Sequence, residues 1–427
     1  MKEKVGNFRW VVVALLFFAT TINYLDRQVI GLLKPTLEKE LNWSETDYSF
    51  IVMCFTASYA IGLLFFGKII DQIGSKLGYT ISIIIWSIAA MFHALAKSSF
   101  GFGAARAVLG LGEAGNFPAA IKSVAEWFPK KERAFATGIF NSGANIGAMV
   151  APIMVPWLLG AYGWQEAFLI TGAIGFIWLI FWWIFYEIPS RKKGISQSEL
   201  DYIQEDDHED NTPIAWGKLF TIPQTWVFIV GKFFTDPIWW FFLFWLPSYF
   251  SSTFSLDLKK PSIHLAVLFT CTSIGSIGGG YIPGWLMRKG WPVHKARKTA
   301  MLFFALLALP IISARWATDI WQAVILISIA ASAHQAWSAN IFTSVSDMFP
   351  KNAISSVVGI GGLAGSLGGV IFPYFIGIIL DTYKANDNLS GGYNLIFLIC
   401  GSAYLLAWLL IHFISPRMLP VGKTNPE

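Results

Sequence analysis

Ser123-Val124-Ala125-Glu126-Trp127-Phe128-Pro129-Lys130 returns, 221 positions later, as Ser344-Val345-Ser346-Asp347-Met348-Phe349-Pro350-Lys351. The match runs on without a gap through Gly138 and Gly359, Gly147 and Gly368, and Pro152 and Pro373. Self-similarity at a fixed offset marks a repeated structural unit. Six apolar stretches separate the two copies, and an even number of membrane crossings returns a chain to the side it left, so the repeats are parallel. The sequence therefore predicts an all-α membrane protein with twelve transmembrane helices in two parallel six-helix repeats.

The composition around the repeat agrees. Of 427 residues, 55% are hydrophobic and 13% charged, against about 25% charged in an ordinary soluble domain. Twelve stretches of roughly 20 apolar residues, from about 10–32 to about 393–415, are each long enough to cross a bilayer. The fourth covers about 100–122, the seventh about 225–250 and the ninth about 297–314. The N-terminal stretch runs into Asn23-Tyr24-Leu25-Asp26-Arg27 with no small-residue cleavage site, and reads as a retained helix. Pro189 to Trp216 is the longest polar stretch, and Ser196-Gln197-Ser198-Glu199 in it has the pattern of a capping box. The expected organisation is an N-terminal six-helix bundle over 1–188, a linker with a short helix over 189–217 and a C-terminal bundle over 218–427. With both termini inside, inner loops hold roughly twenty lysines and arginines against about seven outside, the asymmetry of cytoplasmic loops. Both termini and the linker are expected in the cytoplasm, and the protein in the inner membrane, as a monomer.

The net charge of +5 comes without a basic helix or arginine cluster, so nucleic acid is not an expected partner. Cys54, Cys271 and Cys400 lie in apolar runs and frame no disulfide. No metal-ligand spacing, phosphate loop or nucleophile–base pattern is present, so neither a cofactor nor an enzyme is expected. The glycine-rich run Gly275 to Gly280 reads as a helix contact.

Charges within the spans carry the functional reading, because a central ionisable residue costs about 2.5–3.5 kcal/mol on insertion scales. Arg27 and Arg106 fall at similar depth in the outer halves of their helices. Glu113 lies on the face of Arg106 and roughly 10 Å deeper, near the midplane. Asp26, Arg27, Arg106 and Glu113 read as one network lining a cavity. Arg27 is the first choice for a substrate carboxylate, because a guanidinium offers a two-pronged donor fork. Arg106 is expected to be occupied by the acids, and Glu113 to stand away from both arginines as the main proton site, with Asp26 as a second site or relay. The alternative is a static ion-pair cluster that locks helices together.

The second half lacks these charges: at the repeat offset Glu113 meets His334, Asp26 meets Pro247 and Arg27 meets Ser248. Lys232 and Asp236, four apart, are expected to form an internal salt bridge, and His334 to be a satisfied hydrogen-bonding residue. Gln335, Trp337 and Asn340, with Trp239 and Trp240, offer amides and indoles to a sugar. Tyr24 and Tyr59 can bond substrate hydroxyls. Asn141 and Asn145 share one helical face among glycines, suited either to substrate or to helix packing.

These residues resemble the major facilitator superfamily, within its anion:cation symporter family. Gly67-Lys68-Ile69-Ile70-Asp71-Gln72-Ile73-Gly74-Ser75-Lys76 is similar to the superfamily's loop motif, with Gln72 where that motif has arginine. The resemblance implies a gating role for Gly67, Asp71 and Gly74. Asn23-Tyr24-Leu25-Asp26-Arg27, with Arg106 and Glu113, resembles the symporter signature. Thr235-Asp236-Pro237-Ile238-Trp239-Trp240 and His334-Gln335-Ala336-Trp337-Ser338-Ala339-Asn340 are similar to bacterial hexuronate transporters. The expected activity is proton-coupled symport of a monoanionic sugar acid, a hexuronate such as glucuronate or galacturonate, by alternating access. Another organic anion such as galactonate or glucarate, and coupling to sodium, stay open.

Overall fold

In a computed structural model of the chain, residues 6–43, 45–205, 214–256 and 263–422 are described. They are helical, with no strand among them. Two compact units form: one of residues 1–216 with 350–360, the other of 217–349 with 361–427.

The first unit contains α1 (Phe8–Leu41), α2 (Glu45–Ile73), α3 (Ser75–Phe92), α4 (Ser99–Glu113), α5 (Asn116–Trp127), α6 (Lys130–Tyr162), α7 (Trp164–Phe185) and the short α8 (Gln197–Ile203). In the second half come α9 (Pro223–Phe244), α10 (Leu246–Phe254), α11 (Ile263–Arg288), α12 (Val293–Leu307), α13 (Ile320–Met348), α14 (Ile354–Ala385) and α15 (Leu389–Ile414). The first turns of α14 belong to the first unit. Among the described residues, ten helices are long and apolar enough to cross a membrane. The fourth span is not among them, because it is cut in two, nor is the polar-lined α13. The chain carries the twelve-helix, two-repeat fold.

Three spans read as continuous are interrupted. The fourth breaks between Glu113 and Asn116. There Ser82 Oγ donates to the Gly112 carbonyl at 2.5 Å, adding to a 3.3 Å bond from the Gly115 amide that replaces the helical one lost at the break. The seventh breaks between Phe244 and Leu246, just before Pro247, which cannot donate to a helix. The ninth tightens into a 3₁₀ segment over Leu309–Trp316 with Pro310 in its first turn.

Glycine decides the closest helix pairs. A Cβ on Gly147 of α6 would lie 2.4 Å from the Thr21 carbonyl of α1, and one on Gly279 of α11 would lie 2.1 Å from Ala336 Cβ of α13. The run around Gly279 is thus a helix contact, as its sequence suggests. Without a hydrophobic drive between helices in lipid, this close approach supplies packing.

The linker helix α8 has half of a capping box. Ser196 Oγ accepts from the Glu199 amide at 3.3 Å. Glu199 turns its carboxylate to Arg9 instead, accepting from the main-chain nitrogen at 3.0 Å and from Nη1 at 3.4 Å.

Candidate functional site

Arg27, on α1, lies against Glu113 at the end of α4. Its Nη2 is 2.9 Å from Glu113 Oε2, and Nε donates to the same oxygen at 3.0 Å. The expectation that Glu113 stands apart from both arginines is therefore corrected. The cause is side-chain direction. Side chains lean toward the N-terminus of their own helix, and the first and fourth spans run opposite ways. Arg27 and Glu113 therefore lean toward each other and close the axial gap of roughly 10 Å between their backbones.

Nη2 of Arg27 also faces Asn23 Oδ1 at 3.4 Å, one turn back on α1. Three rings surround the guanidinium: Tyr24 at 4.7 Å, Tyr59 at 4.8 Å and Phe55 at 5.1 Å from Cζ. The Arg27 side chain is 13% exposed and that of Glu113 0%, so the arginine meets solvent and the acid behind it does not. Glu113 Oε1 has no hydrogen-bond partner among the described residues.

Arg106 is also placed differently from the expectation. Among the described residues no carboxylate forms a salt bridge with it, and its Nε and Nη1 lack hydrogen-bond partners. Its Nη2 donates to the Arg27 main-chain oxygen at 2.9 Å, and its Cζ lies 5.1 Å from the Phe55 ring. Neither oxygen of the buried Asp26 has a hydrogen-bond partner among the described residues. The acids therefore divide: Glu113 holds Arg27, while Asp26, beside Glu113, Thr171 and Arg106, forms no salt bridge among the described residues. Phe55 was not singled out from the sequence, and Asn23 entered only as part of the Asn23–Arg27 motif, with no role of its own. The usable signals were their spacings, four before Arg27 and four before Tyr59, which place each pair on one helical face.

A second cluster joins the loop motif to the start of α14. Asp71 accepts from Lys122 Nζ at 3.1 Å and from the main-chain amides of Ser355 at 3.2 Å and Ser356 at 2.7 Å. The first amides of a helix have no helical acceptor and carry partial positive charge, so a carboxylate there is stabilised. A Cβ on Gly67 would meet the Ser355 carbonyl at 2.4 Å, and Gly74 has φ +86 before α3, so both positions favour glycine. With Gln72 in the motif, Lys122 supplies the cation that pairs with Asp71.

In the second unit, Lys232 and Asp236 form the expected salt bridge, at 2.7 Å. His334 Nδ1 shares a hydrogen bond with the Tyr404 hydroxyl at 2.7 Å, and its ring stacks on Trp239. Two residues expected to bind substrate pack between helices in this structure. Asn340 is fully buried, and its Nδ2 donates to the carbonyls of Gly279 on α11 and Ala336 on its own helix, both at 2.9 Å. An amide in an apolar span needs partners; the backbone satisfies Nδ2, while Oδ1 has no hydrogen-bond partner among the described residues. Trp337 is also fully buried, edge-on to Tyr404, and its Nε1 has no hydrogen-bond partner among the described residues. Gln335 and Asn145 are buried and Trp240 is half-buried. Trp240 packs beside Gly369.

The profile of the Major Facilitator Superfamily matches residues 16–373. The Hexuronate transporter of Escherichia coli (strain K12) is 33% identical over 386 residues, covering 89% of this chain and 89% of that protein. The Galacturonate transporter of Dickeya chrysanthemi is 35% identical over 312 residues, covering 71% of this chain and 90% of that protein. Among solved structures, the proton:xylose symporter XylE bound to 6-bromo-6-deoxy-D-glucose superposes with a TM-score of 0.77 at 15% identity, covering 96% of this chain and 97% of the other. That likeness speaks for the fold alone. The chain belongs to the major facilitator superfamily: it is a multi-pass membrane transporter and not an enzyme.

Proposed function

We propose that this superfamily member is a symporter of a monoanionic sugar acid, a hexuronate such as glucuronate or galacturonate, driven by protons through alternating access. In this reading it is a monomer of the inner membrane with both termini cytoplasmic, and Asp71 with Gly67 and Gly74 gates its transitions. The observation that carries the reading is the Arg27–Glu113 pair: a partly exposed guanidinium among tyrosines, held from behind by one fully buried acid.

Asp26, Arg27, Arg106 and Glu113 sum to zero when both acids are charged. A substrate carboxylate adds one negative charge in a poorly solvated place and competes with Glu113 for Arg27. A proton on Glu113 restores neutrality and frees the donor fork, so anion and proton favour each other reciprocally. Glu113 is the main proton site, and Asp26, without a hydrogen bond to hold its charge, is the second site or relay. Tyr24, Tyr59 and Asn145 contact the hydroxyls. With one proton taken up, a second carboxylate would leave the group one negative charge out of balance, which is costly to bury. The names of the hexuronate and galacturonate carriers among the relatives support the same class.

The test is counterflow and uptake in proteoliposomes, after a thermal-shift screen of sugar acids. A ligand at 100 times its Kd stabilises by about 2.7 kcal/mol. Glucuronate or galacturonate should shift the melting point and accumulate when the inside is alkaline. Tighter binding of glucarate than of any uronate, or uptake that follows sodium and ignores pH, would overturn the reading.

A further inference from the structure

Arg106 is buried, yet weakly held by the atoms around it. It has one hydrogen bond, to a main-chain oxygen, and no salt bridge among the described residues. Glu113, Tyr48 and Asp26 act on it through the electric field, and the ring in contact with it is Phe55, whose centroid is 5.1 Å from Arg106 Cζ and also 5.1 Å from Arg27 Cζ. Arg27 has two further rings and a carboxylate. The ring that is one partner of several for Arg27 is thus a principal partner for Arg106. Phe55 is buried and stacks on Tyr59, one turn along α2, with the ring planes 15° apart. Its orientation is therefore set by packing.

We propose that Phe55 is a positioning residue of the anion site: its ring shares its face between the two guanidiniums and keeps Arg106 from capturing the Glu113 carboxylate that Arg27 holds. Glu113 Oε1 is unbonded and lies on the same face of its helix as Arg106, two turns along. The Arg106 side chain leans away from it, toward the N-terminus of α4. Without an aromatic face, a buried cation with three unsatisfied donor positions turns to the nearest open carboxylate, Glu113 or Asp26. Either capture redistributes the charge that Arg27 presents to an incoming anion. A cation–π contact is the suitable restraint, because it holds a guanidinium without consuming its N–H donors or adding a negative charge. This inference rests on the anion-symport reading.

The experiment compares Phe55→Leu, Phe55→Met and Phe55→Tyr in full-length purified protein, with D-glucuronate as probe. In the Leu and Met variants Kd should rise by about tenfold, the loss of a desolvated cation–π contact. The maximal exchange rate per folded molecule should stay within about twofold, and Tyr should keep binding within about threefold of the parent. A merely structural lesion would instead lower the active fraction and leave Kd alone. A second measurement needs no substrate: melting temperatures of Phe55→Leu, Arg106→Gln and the double variant form a cycle, expected to be non-additive because the two side chains touch. Leu binding like the parent, Tyr falling as far as Leu, or an additive cycle would each overturn the inference. If the parent binds no hexuronate while the cycle is non-additive, the substrate reading fails and the contact stands. If the parent binds hexuronate and the cycle is additive, the reverse holds.

Discussion

Replacing Glu113 with Gln separates binding from coupling. Gln has nearly the shape of the protonated acid and keeps a carbonyl for Arg27, but it cannot release a proton. Glu113 Oε2 lies 2.9 Å from Arg27 Nη2. At that separation and an effective dielectric of about 20, the gross Coulomb attraction is about 6 kcal/mol. An incoming carboxylate must compete with it whenever Glu113 is charged. The amide dipole and the desolvation of the ligand return much of that sum, so we expect a net gain near 1.4 kcal/mol, about tenfold in affinity, at alkaline pH. The sign follows from linkage: protonation of Glu113 favours the anion, so the parent loses affinity as pH rises, and Glu113→Gln should lose this dependence. Exchange of internal for external substrate should persist, and uphill uptake into an alkaline interior should vanish. Binding by calorimetry across pH, with counterflow and gradient-driven uptake in the same proteoliposomes, measures all three. If Glu113→Gln still concentrates substrate when the inside is alkaline, the proton travels by another group and the assignment is wrong.

Arg27→Lys keeps the charge but loses the fork that engages Glu113 and a ligand, and should weaken glucuronate binding by about tenfold or more; calorimetry showing unchanged affinity would make Arg27 structural. Asp71→Asn removes the charge opposite Lys122 and weakens the hold on the first amides of α14, costing about 1–3 kcal/mol locally; hydrogen exchange at Ser355 and Ser356 should speed up, and unaltered exchange would refute the clasp. Asn340→Leu removes both bonds of the amide to the backbone, so melting should fall by about 1–3 kcal/mol with Kd unchanged. A tenfold loss of binding at full stability would return Asn340 to the substrate site. Lys193→Cys in the linker should resist impermeant thiol reagents applied to intact cells, and rapid labelling would reverse the topology.

Much of the architecture is local information. Whether a stretch of about 20 residues is apolar enough to enter lipid depends on its own composition. A repeat at constant offset is a property of the string. The salt bridge of Lys232 with Asp236 needed only helical spacing, and the rule that buried charge is costly singled out Arg27, Arg106, Asp26 and Glu113 before any coordinates. What the string could not decide was how those four pair. Residue count along two helices measures backbone depth, whereas guanidinium and carboxylate meet at the ends of long side chains that lean in opposite directions on antiparallel spans. Glu113 therefore belongs to Arg27, and Arg106 to a ring and a carbonyl. The same limit explains Asn340 and Trp337: whether a polar or aromatic side chain faces a cavity or a neighbouring helix depends on which helix packs there, and for Asn340 that was settled by Gly279, distant in sequence, leaving its carbonyl within reach. Composition and periodicity determine which residues enter the membrane and which neighbours share a helical face, and tertiary packing determines what they touch on other helices.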